Sequence, residues 1–185
     1  MSKIKQKTDK NGFITNRKQK TNITDDAKEY YGSELDGVRD DYNNLPDNVR
    51  NNIKDIEINA DRNNHIGLSS PVDGGDKITI YGMDYPEEVR DVFNHEVGHT
   101  VFRYNMDSPE EFSNIVKSSE PIHGDIDRIV NSQDFKNSDT LPQETFAELF
   151  AMNQAKKRGV DLENDYRYGD VNIDVFNKLS KFLNF

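Results

Sequence analysis

Along the chain, apolar positions are first scarce, then helical in spacing, then alternating, then helical again. Residues 1–24 are rich in Lys, Gln, Asn and Thr with almost nothing to bury, which predicts a disordered basic tail. Over 25–43, Tyr30, Tyr31, Leu35, Val38 and Tyr42 recur at helical spacing, interrupted by Gly32 and Gly37. Leu45-Pro46 opens a short helix through Val49 and Ile53. The period then falls to two. Ile56 and Ile58 alternate with acids over 55–60, a second short run covers 65–69, and a third covers 77–81 after the turn Asp73-Gly-Gly-Asp76. Together these predict a small twisted sheet. A helix follows, with a capping-box-like start at Asp84 and Pro86 in its first turn, running to about Tyr104. Ser108 starts the next helix, through Phe112 and Val116. Residues 119–138 read as loop. Thr140 and Gln143 form the capping box of a further helix with Pro142 in its first turn, ended by Gly159. Residues 161–170 read as loop, and 171–183 as an amphipathic helix. Strands followed by helices predict an α+β fold, with the sheet packed on the helix at 84–104 and a helical C-terminal half, all within one domain over 25–185.

That central helix carries the first candidate chemistry. Its middle reads His95-Glu96-Val97-Gly98-His99. Two histidines four apart project from one helix face, where both imidazoles can reach a zinc ion at about 2.0–2.1 Å. Glu96 lies to the side of such an ion, placed to take a proton from a water attacking a carbonyl. The pattern is the His-Glu-x-x-His arrangement of zinc metalloproteases. The apolar neighbours Val92, Phe93, Val97 and Val101 predict a helix packed in a core, and a helical glycine at Gly98 marks a close approach by another element.

A catalytic zinc needs a third protein ligand and an open position. The chain has no cysteine, and its other histidines are His65, read as an exposed loop residue among asparagines, and His123. The better candidate ligand lies in Leu141-Pro-Gln-Glu-Thr-Phe-Ala-Glu-Leu-Phe-Ala151. Here Glu144 and Glu148 share a helix face with Ala147 and Ala151, opposite Phe146, Leu149 and Phe150. Taken alone, this segment reads equally well as an amphipathic surface helix. Taken with His95 and His99, it offers Glu144 as the third zinc ligand and Glu148 as acceptor for the free N–H of a ligand histidine. The small alanines let it lie close to Gly98.

With both segments in view, the chain resembles the gluzincin metallopeptidases, and within them the lethal-factor-like branch that includes bacterial toxin proteases and secreted Pro-Pro endopeptidases. The resemblance rests on His95-Glu96-Val97-Gly98-His99 and on Glu144-Thr-Phe-Ala-Glu148-Leu-Phe-Ala151, and extends weakly back to about Leu45. It implies a zincin-like fold and a zinc-dependent endopeptidase. Zinc would be held by His95, His99 and Glu144, with Glu96 as general base and Glu148 supporting a histidine. One feature departs from the family, which usually has a tyrosine about two turns before the ligand glutamate to stabilise the oxyanion. Residues 133–140 contain none, leaving His123, Tyr104 and Tyr85 as candidate donors, or the role unfilled. Alternatives are an intracellular regulatory gluzincin that cleaves a repressor, motivated by the leaderless N-terminus and absence of cysteine, and a non-catalytic binding module on the same fold, motivated by the missing tyrosine.

Composition narrows the partners. The net charge is −10, yet residues 1–20 carry seven Lys/Arg against one acid, so the remainder is strongly acidic. An acidic body argues against nucleic acid and is compatible with a basic peptide substrate, although solubility is the simpler reason for the charge; the expected partner is a peptide or protein substrate. No apolar run suits a signal peptide or a membrane span, so the expectation is a monomer that is cytoplasmic or exported by a leaderless route. The absence of cysteine excludes a disulfide framework and a thiol nucleophile.

Overall fold

The computed structural model describes residues 7–15, 19–122, 140–168 and 171–184. It is an α+β fold built on a small mixed sheet of four strands: β1 (Lys20–Ile23), β2 (Ile53–Arg62), β3 (Gly67–Val72) and β4 (Gly75–Gly82). The spatial order is β1-β2-β4-β3, with β1 and β4 parallel to β2 and β3 antiparallel to β4. β1 and β3 are therefore the edges. Pro71 sits in β3, the kind of edge position where a missing N–H is tolerated. On β2 a register shift between Ile53 and Asp55 lets Ile53, Ile56 and Ile58 all face inward, against Ile78 and Ile80 of β4.

The helices are α1 (Asp25–Tyr31), α2 (Glu34–Asn44), α3 (Asp47–Arg50), α4 (Val89–Tyr104), α5 (Pro109–Lys117), α6 (Thr140–Lys157) and α7 (Ile173–Leu179). Short 3-10 turns precede α4 at Pro86–Glu88 and follow α7 at Ser180–Leu183. α4 lies across β3 and β4, α6 packs along α4, and α2 and α5 flank this pair. Phe93, Val97 and Val101 of α4 and Phe146, Leu149 and Phe150 of α6 are fully buried and form the middle of the core. No helix of the described residues is long and apolar enough to cross a membrane.

Several sequence expectations are corrected. The tail is ordered over 7–15 and 19–24: Phe13 is fully buried against Tyr42, and Lys20–Ile23 adds a fourth strand beside β2. Hydrogen bonds anchor this segment. The Asp9 carboxylate accepts from the backbone of Asn11 and Phe13, and Asn43 holds Ile14 N and Gly12 O. A single aromatic anchor and long-range amide contacts leave no periodic trace in a polar sequence. Residues 1–6 and 16–18 lie outside the described residues. The break between α1 and α2 falls at Gly32, whose φ of 53° ends α1, whereas Gly37 continues α2 and makes room for the Arg90 side chain. Asp84 caps nothing and pairs instead with Arg62, so α4 starts after the 3-10 turn. Ser108 precedes α5 without a side-chain cap. The last helix stops at Leu179 and tightens into the 3-10 turn.

Candidate metal centre and cleft

Burial of Phe93, Val97, Thr100 and Val101 orients α4. With one stripe committed to the core, the face bearing His95 and His99 is turned to an open cleft of about 1040 Å³. Their side chains keep 19% and 13% exposure. α6 reaches the same place because Gly98 faces Ala147: a Cβ at Gly98 would stand only 2.6 Å from the Ala147 Cα. No larger residue at 98 allows the helices this near, and the approach carries Glu144, one turn earlier on α6, to the histidines.

Three atoms converge there. His95 Nε2 lies 3.2 Å from Glu144 Oε2, His99 Nε2 lies 3.1 Å from His95 Nε2, and His99 Nε2 lies 3.5 Å from the same carboxylate oxygen. On the other side of the ring, His95 Nδ1 is 2.8 Å from Glu148 Oε1. An Nδ1–H donated to Glu148 leaves the Nε2 lone pair directed at the triangle. The donor set fits a metal ion: two ligands at 2.0–2.1 Å in a tetrahedron are about 3.3–3.4 Å apart, close to all three separations. Two imidazole nitrogens and a carboxylate also match the ligand types zinc accepts. Among the described residues this is the single group of three His, Cys, Asp or Glu side chains so arranged.

Charge accumulates around the triangle. Burial opposes the charged form of His95, but Glu148 and Glu144 outweigh it and hold its pKa well above the ordinary histidine value. Burial likewise pushes Glu144 up, while hydrogen bonds from both histidines outweigh it and bring the carboxyl down to about 2. Glu96 is buried at the foot of the cleft, and burial raises its pKa against the opposing pull of the two histidines. Strand β3 covers it. A Cβ on Gly67 would come within 2.5 Å of Glu96 Oε1 and 2.9 Å of Val92 Cγ1, so this glycine leaves the space the carboxylate fills.

The structure therefore brings His95, Glu96, His99, Glu144 and Glu148 together. It does not bring in Tyr104, whose hydroxyl is 3.1 Å from Gly75 O and 3.3 Å from Asp76 Oδ1. Tyr85 lines the cleft and is 59% exposed. His123 and most of the expected 119–138 loop lie outside the described residues. His65 is exposed, as expected, and also lines the cleft.

Other lining residues escape a reading of local pattern. Tyr166, Arg167 and Tyr168 form one wall, on a turn-rich segment that sequence marks only as loop. Long-range ion pairs place them: Arg167 and Arg158 both bind Asp91 on the first turn of α4, at 2.8 and 2.5 Å. Arg158 also reaches Asp41, a buried carboxylate that accepts from Arg90 and Asn94 as well. Arg103, by contrast, is signalled by spacing, because it continues the 95, 99 series by four. Compared with known proteins, the chain matches no family model, no curated protein and no solved structure.

Proposed function

We propose that this protein is a zinc-dependent endopeptidase with a zincin-like fold, related in its site to the gluzincins. The observation that carries the reading is the triangle of His95 Nε2, His99 Nε2 and Glu144 Oε2, with Glu96 buried beside it. Zinc bound there would polarise the scissile carbonyl and lower the pKa of a water in its open position. The protein's own groups supply the remainder. Glu96 accepts a proton from the attacking water and delivers it to the leaving amine. Glu148 fixes the tautomer and plane of His95 through Nδ1.

The sheet supplies a place for the substrate. The strand predicted over 77–81 belongs to the interior strand β4, whereas β3 has a free edge and passes over Glu96 at Gly67. An extended peptide pairing with β3 brings a carbonyl past the triangle. Tyr85 and Tyr166 are the exposed phenols on the cleft lining that can donate to an oxyanion.

Two measurements test the proposal together. Elemental analysis is expected to find about one zinc per chain in the wild type, and Glu144→Ala is expected to lose it. With zinc bound, the wild type is expected to cleave members of a pooled peptide library, while Glu96→Gln retains zinc and loses cleavage. Equal cleavage by wild type and Glu96→Gln refutes the mechanism. A zinc-loaded wild type that cleaves nothing favours the non-catalytic binding module.

A further inference from the structure

The cleft carries a charge that hydrolysis itself does not require. Among the described residues, two arginines line it, Arg103 and Arg167. Each side-chain nitrogen of Arg167 already donates to a carboxylate: Nε and Nη2 to Asp165 at 2.8 and 2.7 Å, and Nη1 to Asp91 at 2.8 Å. Arg103 is differently placed. It follows His99 by four residues, as His99 follows His95, so the three side chains share one face of α4. Its Nη1 donates to Asp76, a fully buried carboxylate that also accepts from Ser69 Oγ at 3.2 Å and Tyr104 OH at 3.3 Å. The guanidinium is thus anchored from behind, while the side chain stays 30% exposed at the cleft. The guanidinium also stands over the Tyr104 ring, 5.9 Å from its centroid; it offers five N–H donors in a rigid fork, more than the Asp76 bond uses, for a planar acceptor arriving from the cleft.

The neighbouring strand sets the distance. β3 passes Glu96 at Gly67, and Ser69 Oγ lies 3.4 Å from Thr100 Oγ1, so strand and helix advance together towards Arg103. Two residues of extended chain span about 6.8 Å, and one helical turn rises about 5.4 Å. A peptide paired with β3, its reacting carbonyl level with the metal triangle, therefore presents a side chain two positions away to Arg103. At the opposite end of α4 the lining carries both signs of charge, with Glu88 and Asp91 beside Arg167.

We propose that Arg103 makes the cleft selective for peptides carrying Asp or Glu about two residues from the scissile bond. This rests on the endopeptidase reading. The competing role for Arg103 is to neutralise Asp76 and nothing more.

A randomised peptide library, digested by the zinc-loaded wild type and read by mass spectrometry, tests the two roles. Acids are expected to be enriched at one position two or so residues from the cut. In the best peptide, replacing that Glu by Gln is expected to lower kcat/KM by about 10- to 100-fold, the range for a charge-assisted hydrogen bond. The Arg103→Gln/Asp76→Asn double variant, which removes both charges together, is expected to cleave the Glu and Gln peptides alike. Binding of the same two peptides to Glu96→Gln, followed by fluorescence anisotropy, is expected to show the same preference without turnover. Should the double variant fail to fold, Arg103→Lys retains a cation against Asp76 without the planar fork. It is expected to reduce the preference at least about threefold. Cleavage without acid enrichment, or a preference unchanged in the variants, overturns the assignment and leaves the peptidase reading standing. A wild type that cleaves no peptide removes both.

Discussion

Gly98 and Ala147 meet where the two halves of the site touch, and the contact runs through backbone. A Cβ at residue 98 would lie 2.6 Å from Ala147 Cα, 3.0 Å from Ala147 O and 3.1 Å from Phe150 Cβ. In an open helix, Gly→Ala is favourable by about 1 kcal/mol. Here the obstructing atoms cannot swing aside, and overpacking of this kind costs about 1–3 kcal/mol. Gly98→Ala is therefore expected to be destabilising, by up to about 2 kcal/mol net of the helix gain. It is also expected to weaken zinc binding, because displacing α6 moves Glu144 from His95 and His99. Urea denaturation and a zinc competition titration check the two effects. A variant that is more stable and binds zinc as tightly as wild type would show that the approach is not needed.

The two glutamates of α6 are placed differently towards the histidines. Glu144 Oε2 belongs to the triangle, whereas Glu148 Oε1 lies 2.8 Å from the far nitrogen of His95. Loss of such an outer hydrogen bond lowers metal affinity by about 10- to 100-fold. Glu148→Gln is expected to fall in that range, and Glu144→Gln to lose considerably more. Chelator competition followed by zinc-sensitive fluorescence ranks the variants. The reverse order would mean that Glu148 is the ligand.

How much of this was legible in the sequence depends on how local the cause is. The spacing of His95 and His99, and of Glu144 and Glu148, is a helical signal, and the structure places all four as that signal implies. Ile56 and Ile58 mark β2 by alternation, and Gly98 marks the helix crossing. The places sequence missed are held by distant partners. Phe13 inserts beside Tyr42, Lys20–Ile23 pairs with β2, and Arg167 is set by Asp91. None of these pairings leaves a periodic pattern at either end. β3 illustrates the middle case: its existence was readable, but it occupies Gly67–Val72 rather than 65–69, because pairing with β4 and the tight turn at Gly74 set the register.

Gly67 is placed to separate the positioning of Glu96, the proposed general base, from binding at the metal triangle. Its missing Cβ is the space taken by Glu96 Cγ and Oε1, with Val92 closing the other side. Gly67→Ala is expected to displace the Glu96 carboxylate while leaving His95, His99 and Glu144 in place. A misplacement of about 1 Å can lower a rate by about 100-fold, so kcat is expected to fall by one to two orders of magnitude with zinc content unchanged. Steady-state kinetics beside elemental analysis of the same preparation makes the distinction. Loss of zinc in parallel with activity would contradict it.

The metal-free protein is expected to show a stability maximum in mildly acidic solution. His95 is raised in the folded state by Glu148 and Glu144 against the opposing effect of burial. Its contribution is complete below the unfolded histidine value of about 6.5 and is lost as pH rises through the folded value. Glu144 behaves oppositely. Its folded pKa is lowered to about 2 from 4.5, so its contribution is present above about 4.5 and disappears as pH falls towards 2. Both contributions are complete together between about pH 4.5 and 6.5, and each fades gradually beyond its end of that window. Melting temperatures of the chelated protein are expected to peak there and decline towards pH 9, with Glu148→Gln flattening the alkaline side. Zinc has the reverse slope, because it needs the neutral imidazole and must displace the proton from His95. The gain in melting temperature on adding saturating zinc is therefore expected to grow from pH 6 to pH 8. A metal-free protein that becomes steadily more stable from pH 6 to 9 would contradict the proton-holding role assigned to Glu144 and Glu148.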